Sequence, residues 1–172
     1  MRVARFIFSI VVILILLFMA GFLLPSRVTM SKSVLVKASK VKVNAQIQDF
    51  NNWKNWYPAF QNEKLTLVNN QPGPGAAITI SLTEGGTTRL HLNLMQSKTD
   101  TILVVVKSGS PTTVSYQFIL KDHSNAQTQL IWNINANLGW YPWEKIKGIF
   151  LDKMNGPQYE AALINLKRAA EK

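Results

Sequence analysis

An uncharged apolar segment near the N-terminus constrains this chain more than any other feature. The stretch from Phe6 to Leu24 reads FIFSIVVILILLFMAGFLL and contains no charged side chain. At ~1.5 Å per residue, a helix of this length rises roughly 28 Å, about the hydrocarbon thickness of a bilayer. Arg2 and Arg5 precede it, and positively charged flanks stay in the cytoplasm. The segment predicts a transmembrane anchor over residues 1–26, with a cytoplasmic N-terminus and the following domain periplasmic or extracellular.

Three other interpretations of this segment are weaker. A cleaved signal peptide needs small residues at a cut site, and Met19-Ala20-Gly21-Phe22 offers no clean pattern of that kind. A lipoprotein needs a cysteine for lipid attachment, and the chain has none. A buried core helix is disfavoured by an uncharged apolar run beside two arginines. An uncleaved anchor is therefore favoured, although cleavage stays open.

The rest of the chain is long enough for one domain and is strongly basic. About 148 residues follow Leu24, enough to bury one sizeable core. They carry 17 of the 19 basic residues and all nine acidic ones, a net charge of +8. The basic residues are scattered singly, without the runs or aromatic-basic motifs of nucleic-acid binding, which disfavours a nucleic-acid partner. Such a surface suits anionic lipid headgroups or acidic envelope polymers, or it simply keeps the domain soluble.

Hydrophobic periodicity predicts a strand and two short helical segments first. Apolar residues alternate over residues 28–38, and Lys32 is the exception on the apolar face. Ser39 is placed to cap a short helix. Trp53 and Trp56, three residues apart, predict another helical turn that buries two indoles and ends at Tyr57-Pro58.

The central part of the chain predicts strands, and the C-terminus predicts helices. Turn signals at residues 72–75, 84–86 and 122–125 separate six predicted strands, at residues 65–68, 76–82, 88–96, 102–107, 113–120 and 129–138. A helix over residues 143–154 is expected to end at Asn155-Gly156, and Pro157 to begin a last helix. That helix carries an apolar stripe of Tyr159, Leu163, Leu166 and Ala170.

This order of elements is that of the α+β helix-grip fold. Three segments also resemble the polyketide cyclase/dehydrase and lipid-transfer superfamily, which is called START-like or SRPBCC: VLVKAS (34–39), DFNNWKNWYP (49–58) and GPQYEAALINLKRAAE (156–171). The resemblance covers residues 27–172, which are expected to form one domain. It implies a curved antiparallel sheet around a long C-terminal helix, with a cavity between them that in different members receives lipids, sterols, polyketides or plant hormones. It also implies that Trp53 and Trp56 help to close a helical lid, and that Asp49 caps or pairs locally.

Inward-facing apolar residues are the candidates for lining that cavity. Large aromatic side chains with a polar tip suit a site for an apolar ligand. Each of them taken singly is more often core filler. The predicted pocket residues are Trp53, Trp56, Leu90, Leu92, Leu94, Tyr116, Phe118, Trp132 and Tyr159.

Chemistry-bearing groups are sparse, which predicts no catalytic residue, no cofactor and no metal. His91 lies opposite the leucines of its strand, His123 falls in a predicted turn, and neither has metal-ligand spacing. The acidic residues fall mostly in turns or on polar helix faces, and no serine-nucleophile motif is present. The sequence favours membrane-tethered, non-catalytic binding of a hydrophobic or amphipathic small molecule. A cyclase- or hydrolase-like enzyme that uses the same cavity stays open as an alternative. So does a protein-interaction module with a collapsed cavity, whose protein partner is unknown.

Overall fold

A computed structural model describes residues 2–61, 64–69, 72–81, 89–109, 112–124 and 126–172. Strands and helices follow in the predicted order, with short 3-10 turns at Phe50–Asn52 and Pro58–Phe60. The elements are α1 (Arg2–Phe22), β1 (Arg27–Val36), α2 (Lys40–Gln48), α3 (Trp53–Trp56), β2 (Lys64–Asn69), β3 (Ala77–Ser81), β4 (Arg89–Ser97), β5 (Thr101–Lys107), β6 (Thr113–Ser124), β7 (Gln127–Asn137) and α4 (Pro142–Glu171). The predicted turn at residues 84–86 lies outside the described residues.

The strands form one antiparallel sheet in the order β1-β7-β6-β5-β4-β3-β2. The first strand therefore lies beside the last, and their register runs from Arg27 opposite Asn137 to Val36 opposite Thr128. Side chains alternate along β7 between buried and half-buried positions, because a strand turns successive residues to opposite faces. The buried face packs against α2, α3 and α4. The α+β fold with an antiparallel sheet and a long closing helix is thus confirmed.

The closing helix is one continuous element, and the predicted break at Asn155-Gly156 is wrong. Pro157 lies inside α4, where the missing N–H and the ring cost about 3 kcal/mol in a helix interior. Lys32 of β1 pairs with acidic residues on both sides of this proline: its Nζ lies 3.4 Å from Asp152 Oδ1 and 2.8 Å from Glu160 Oε1. These ion pairs join the turns on either side of the proline. They also explain why a lysine occupies the apolar face of β1.

Strand β6 extends further than predicted. It continues through Ser124, so His123 lies in the strand and not in a turn. Ala126, with φ of 63°, makes the connection to β7. The end of this longer hairpin is exposed and lies beyond the core. Both faces of the strand are polar there, so hydrophobic periodicity does not show where the strand ends.

Helix α1 covers most of the predicted membrane anchor. Many of its large apolar side chains are exposed, among them Phe6, Phe8 and Leu16. Over the residues that the structure describes, however, no helix meets the combined length and apolarity required to cross a bilayer. The structure therefore does not support the predicted transmembrane anchor.

Candidate functional site

A cluster of aromatic side chains occupies the interior between the sheet and the helices. Neighbouring rings have centroids 4.5–6.5 Å apart, and every member is buried. Edge-to-face and stacked pairs both occur, which are the arrangements that aromatic rings prefer. We call this set the aromatic cluster; it comprises Phe50, Trp53, Trp56, Tyr57, Phe60, Tyr116, Phe118, Trp132 and Tyr159.

Helices α2 and α3 form one cap over the cluster. The indole Nε1 of Trp53 donates to the carbonyl of Ile47 at 2.9 Å, and that of Trp56 donates to the carbonyl of Gln46 at 3.1 Å. Between them, Asp49 Oδ1 accepts a hydrogen bond from the Asn51 backbone N–H at 2.9 Å, which confirms its predicted local capping role. The two tryptophans are therefore tied to α2, and the cap holds together as a unit.

The sheet presents three rings from two neighbouring strands. Tyr116 and Phe118 of β6 lie two residues apart and share a face, as the period of a strand requires. Phe118 lies opposite Trp132 of β7 in the register, and their rings stack with centroids 5.0 Å apart. Cross-strand pairing thus brings together residues that are distant in sequence.

Three tyrosine side chains meet inside this apolar cluster. The hydroxyl oxygens of Tyr57 and Tyr116 lie 3.1 Å apart, and the ring of Tyr159 lies against that of Tyr116, with centroids 6.1 Å apart. Burial raises the pKa of all three hydroxyls above the ordinary value, because the ionised form is poorly solvated there. They are neutral at physiological pH, and each can donate and accept hydrogen bonds.

Trp132 differs from the other two tryptophans of the cluster. Its side chain is fully buried, and its indole Nε1 has no hydrogen-bond partner among the described residues. A buried donor without a partner costs about 1–3 kcal/mol. The Trp132 ring contacts those of Tyr57, Tyr116 and Tyr159. An acceptor from a bound molecule that reached the N–H would relieve that cost.

The structure places all nine predicted pocket residues in or against the core. Six of them, Trp53, Trp56, Tyr116, Phe118, Trp132 and Tyr159, belong to the aromatic cluster. Leu92 and Leu94 are buried and Leu90 is half-buried on β4, two strands away from β6. Their role in binding a ligand stays a prediction.

Sequence reasoning missed three members of the cluster. The sequence pattern predicts Tyr57 only as the end of a helical turn. Its place between Trp56 and Pro58, where the chain bends, is a local signal that its ring could turn inward. Phe60 follows in the same 3-10 turn, and Phe50 opens the preceding one. Short helical turns have no long periodic stripe, so their inward positions are not readable from spacing.

Acid-base groups are outside the cluster in the part of the chain that is described. Among the described residues, no Asp, Glu or His belongs to the aromatic cluster. No three of the described His, Asp and Glu side chains form a group that could hold a metal ion. His91 is exposed on β4, with Nδ1 3.0 Å from Thr79 Oγ1, on the outer face as predicted. The polar groups of the cluster are therefore its tyrosine hydroxyls and indole N–H groups.

Clefts lined by described residues also open at the surface. One has a volume of about 370 Å³ and lies between the cap and the end of α4. Arg168 and Lys172 give it a basic rim. A second, of about 280 Å³, follows β1 and α4 beside the ion pairs of Lys32. Neither contains a member of the aromatic cluster.

Comparison with known families agrees with the fold. The model of the family described as polyketide cyclase / dehydrase and lipid transport matches residues 27–171. The chain belongs to this family. No protein of curated function matches it.

Solved structures share the fold at low sequence identity. A START superfamily protein from Mycobacterium smegmatis is 16% identical, with a TM-score of 0.63 over 83% of this chain and 97% of that one. The Zhui aromatase/cyclase from a Streptomyces species is also 16% identical, with a TM-score of 0.60 over 84% and 94% of the two chains. Norcoclaurine synthase from Thalictrum flavum, in complex with dopamine and hydroxybenzaldehyde, is 10% identical, with a TM-score of 0.62 over 87% and 89%. Likeness at this level shows a common fold.

Proposed function

We propose that this protein binds a hydrophobic small molecule at the aromatic cluster, without catalysis, while α1 tethers the domain to a membrane. The observation that carries the proposal is the unpartnered Trp132 N–H in an apolar interior whose neighbouring rings include three neutral tyrosines. Ligand sites combine a mostly apolar lining with a few converging polar groups. The ligand expected here is an amphipathic, lipid-like molecule with an apolar body and one hydrogen-bond acceptor.

The family and the solved relatives support a ligand of this class. The family description includes lipid transport. One structural relative is an aromatase/cyclase, and another holds dopamine and hydroxybenzaldehyde. By fold analogy, the interior between sheet and closing helix is where such molecules are expected to bind in this chain as well. Stacking against Phe118 and Trp132 would favour flat or ring-containing ligands.

The residues favour binding over chemistry. Catalytic proton transfer needs a group that titrates near the working pH. The buried tyrosine hydroxyls have pKa values raised by burial, so they donate hydrogen bonds at neutral pH but do not abstract protons. The cyclase- or hydrolase-like alternative has no acid-base pair in the described part of the cluster.

Entry of a ligand requires the cap to move. Trp53 and Trp56 lie against Phe118, with ring centroids 6.2 and 6.3 Å away. Since both indoles are hydrogen-bonded to carbonyls of α2, the cap would swing away as a unit and carry both rings off the sheet. Space for the ligand then opens beside Trp132.

A native mass spectrometry experiment tests ligand binding. The full chain, purified from its own host in mild detergent, is expected to carry a stoichiometric small-molecule adduct that is identified after organic extraction. Trp132→Phe removes the indole donor but keeps a ring, so retention of the adduct should fall about 2- to 10-fold, the effect of one neutral hydrogen bond. Trp140→Phe removes an exposed indole and is the matched control. Equal retention in the two variants would contradict the role of Trp132.

Helix α1 supports the proposed tether. Its large apolar side chains are exposed along its length, including Ile7, Ile13 and Phe18, and exposed apolar surface of this extent favours a lipid environment. Arg2 and Arg5 favour a cytoplasmic N-terminus, with the domain on the opposite side.

Protease added to intact cells tests this topology. We expect the domain to be digested without lysis, while a cytoplasmic marker protein survives. A domain that is degraded only after lysis would contradict the external location. Flotation of the chain with membranes, scored in the same samples, reports the tether separately from its topology.

The dense packing of the cluster favours a second candidate function. Rings that already fill the interior are typical of a protein-interaction module with a collapsed cavity, in which the basic surface binds a partner. The cleft with Arg168 and Lys172 on its rim would be the contact for an acidic partner. A clean apo mass, repeated after incubation with host lipid extract, would favour this function over ligand binding.

A further inference from the structure

The first half of α4 exposes large apolar side chains to solvent, the reverse of the pattern usual for a helix of a soluble domain. Trp143, Ile149 and Phe150 are 49%, 60% and 51% exposed, while Lys145 and Gly148 on the opposite side are buried. In the second half the polarity is normal, and Leu163 and Leu166 face the core. We call the exposed apolar residues of this region the α4 face: Trp140, Trp143, Ile146, Ile149, Phe150 and Met154.

The α4 face is continuous with the C-terminal end of α1. The ring of Phe18 lies 6.4 Å from that of Trp143, and the ring of Phe22 lies 6.2 Å from that of Trp140. Lys145 Nζ donates to the carbonyl of Phe22 at 3.0 Å, which satisfies a carbonyl at the helix end and places a cation there. The burial of Lys145 is thereby explained, and the end of α1 is held on α4.

The composition of the α4 face matches the headgroup region of a bilayer. Trp140, Tyr141 and Trp143 stack in series, with centroids 4.2 and 4.5 Å apart. Tryptophan and tyrosine are enriched at this level of a membrane, because their rings are apolar and their tips are polar. Lys147 and Lys153 are exposed on the same half of the helix, which complements anionic lipids. Asp152, the acid between them, is paired with Lys32.

We propose that the α4 face docks on the headgroup region of a bilayer that contains anionic lipids, with the first half of α4 lying along the membrane surface. This proposal rests on the membrane tether proposed above, since α1 brings the face to the bilayer. Docking would add a second membrane contact to that of α1 and would hold the first half of α4 along the bilayer surface. The same contact would keep one side of the domain permanently against a reservoir of lipophilic ligand.

Tryptophan quenching by brominated lipid tests the docking in the full chain. The protein is reconstituted in vesicles of phosphatidylcholine and phosphatidylglycerol, with bromine on the acyl carbons nearest the headgroup. Trp53, Trp56 and Trp132 are fully buried in the domain, so only Trp140 and Trp143 should be quenched. The double variant Trp140→Phe/Trp143→Phe should lose the quenching, and vesicles without phosphatidylglycerol should show less of it.

Charge substitution provides the functional variant and its control. Phe150→Glu should weaken the quenching of the wild-type tryptophans, whereas Met95→Glu, an exposed apolar residue on β4, should leave it unchanged. Far-ultraviolet circular dichroism checks that each variant is folded. If Phe150→Glu alone is misfolded, the difference in quenching between the wild-type protein and Trp140→Phe/Trp143→Phe still decides the result.

Each other outcome overturns a defined part of the proposal. Protein that floats with the vesicles but is not quenched retains the tether and overturns the docking. Protein that does not float overturns both. Quenching that is independent of phosphatidylglycerol overturns the anionic-lipid preference. Crosslinking between copies through position 150, without quenching, would show that a second copy covers the face.

Discussion

Replacement of Trp132 by alanine is expected to lower the free energy of unfolding by about 3–5 kcal/mol, the usual cost of truncating a buried aromatic residue. The side chain is fully buried, and its ring contacts those of Trp56, Tyr57, Tyr116 and Phe118 as well as Tyr159. Alanine leaves a cavity at the centre of this packing, and the surrounding rings, which belong to α3 and the residue after it, to β6 and to α4, cannot all close around it. Equilibrium urea unfolding of the full chain in detergent micelles measures the loss.

Two companion variants identify the cause of that loss. Trp132→Phe removes less volume and also removes the unpartnered N–H, so part of its packing cost is offset and its effect should be clearly smaller. Trp140→Ala truncates an exposed tryptophan and should change stability by about 0.5 kcal/mol or less. A loss below about 1 kcal/mol for Trp132→Ala would mean that the cluster is not packed around this residue.

Alkaline pH is expected to destabilise the domain through Tyr57, Tyr116 and Tyr159. Burial raises the pKa of each hydroxyl in the folded state, while the unfolded chain loses these protons near pH 10. The native state therefore binds more protons above that pH, so the stability that these groups contribute is complete below pH 10 and is lost as pH rises. Each group contributes up to about 1.4 kcal/mol per pH unit between its unfolded and its folded pKa.

The triple variant Tyr57→Phe/Tyr116→Phe/Tyr159→Phe isolates this effect. Lysine deprotonation in the same pH range is common to both proteins, so the difference between their urea-unfolding curves at pH 8 and pH 11 belongs to the tyrosines. We expect the variant to lose less stability than wild type on going to pH 11. If the two proteins lose the same stability between pH 8 and pH 11, the three tyrosines are not held un-ionised in the core. Tyr141→Phe is the control for loss of a phenol outside the cluster.

The interior rings illustrate what sequence reasoning could reach. Strict alternation in β6 and β7 marked Tyr116, Phe118 and Trp132 as inward-facing, because successive side chains of a strand point to opposite faces. The cap was harder to predict. Tyr57 and Phe60 lie in one-turn elements too short to show a period, so their contribution to the cluster appeared only with the coordinates.

Local patterns by themselves determined the strands, the helical stripe from Tyr159 to Ala170, and the family to which residues 27–171 belong. These features depend on residues close in sequence, where backbone geometry sets which side chains share a face. Tertiary structure alone decided that α4 continues through Pro157, because the ion pairs that join its turns come from Lys32 on another strand. It also decided that the Trp132 N–H has no partner and that α4 exposes apolar side chains next to α1. Each depends on which distant groups meet, and no local pattern encodes those contacts.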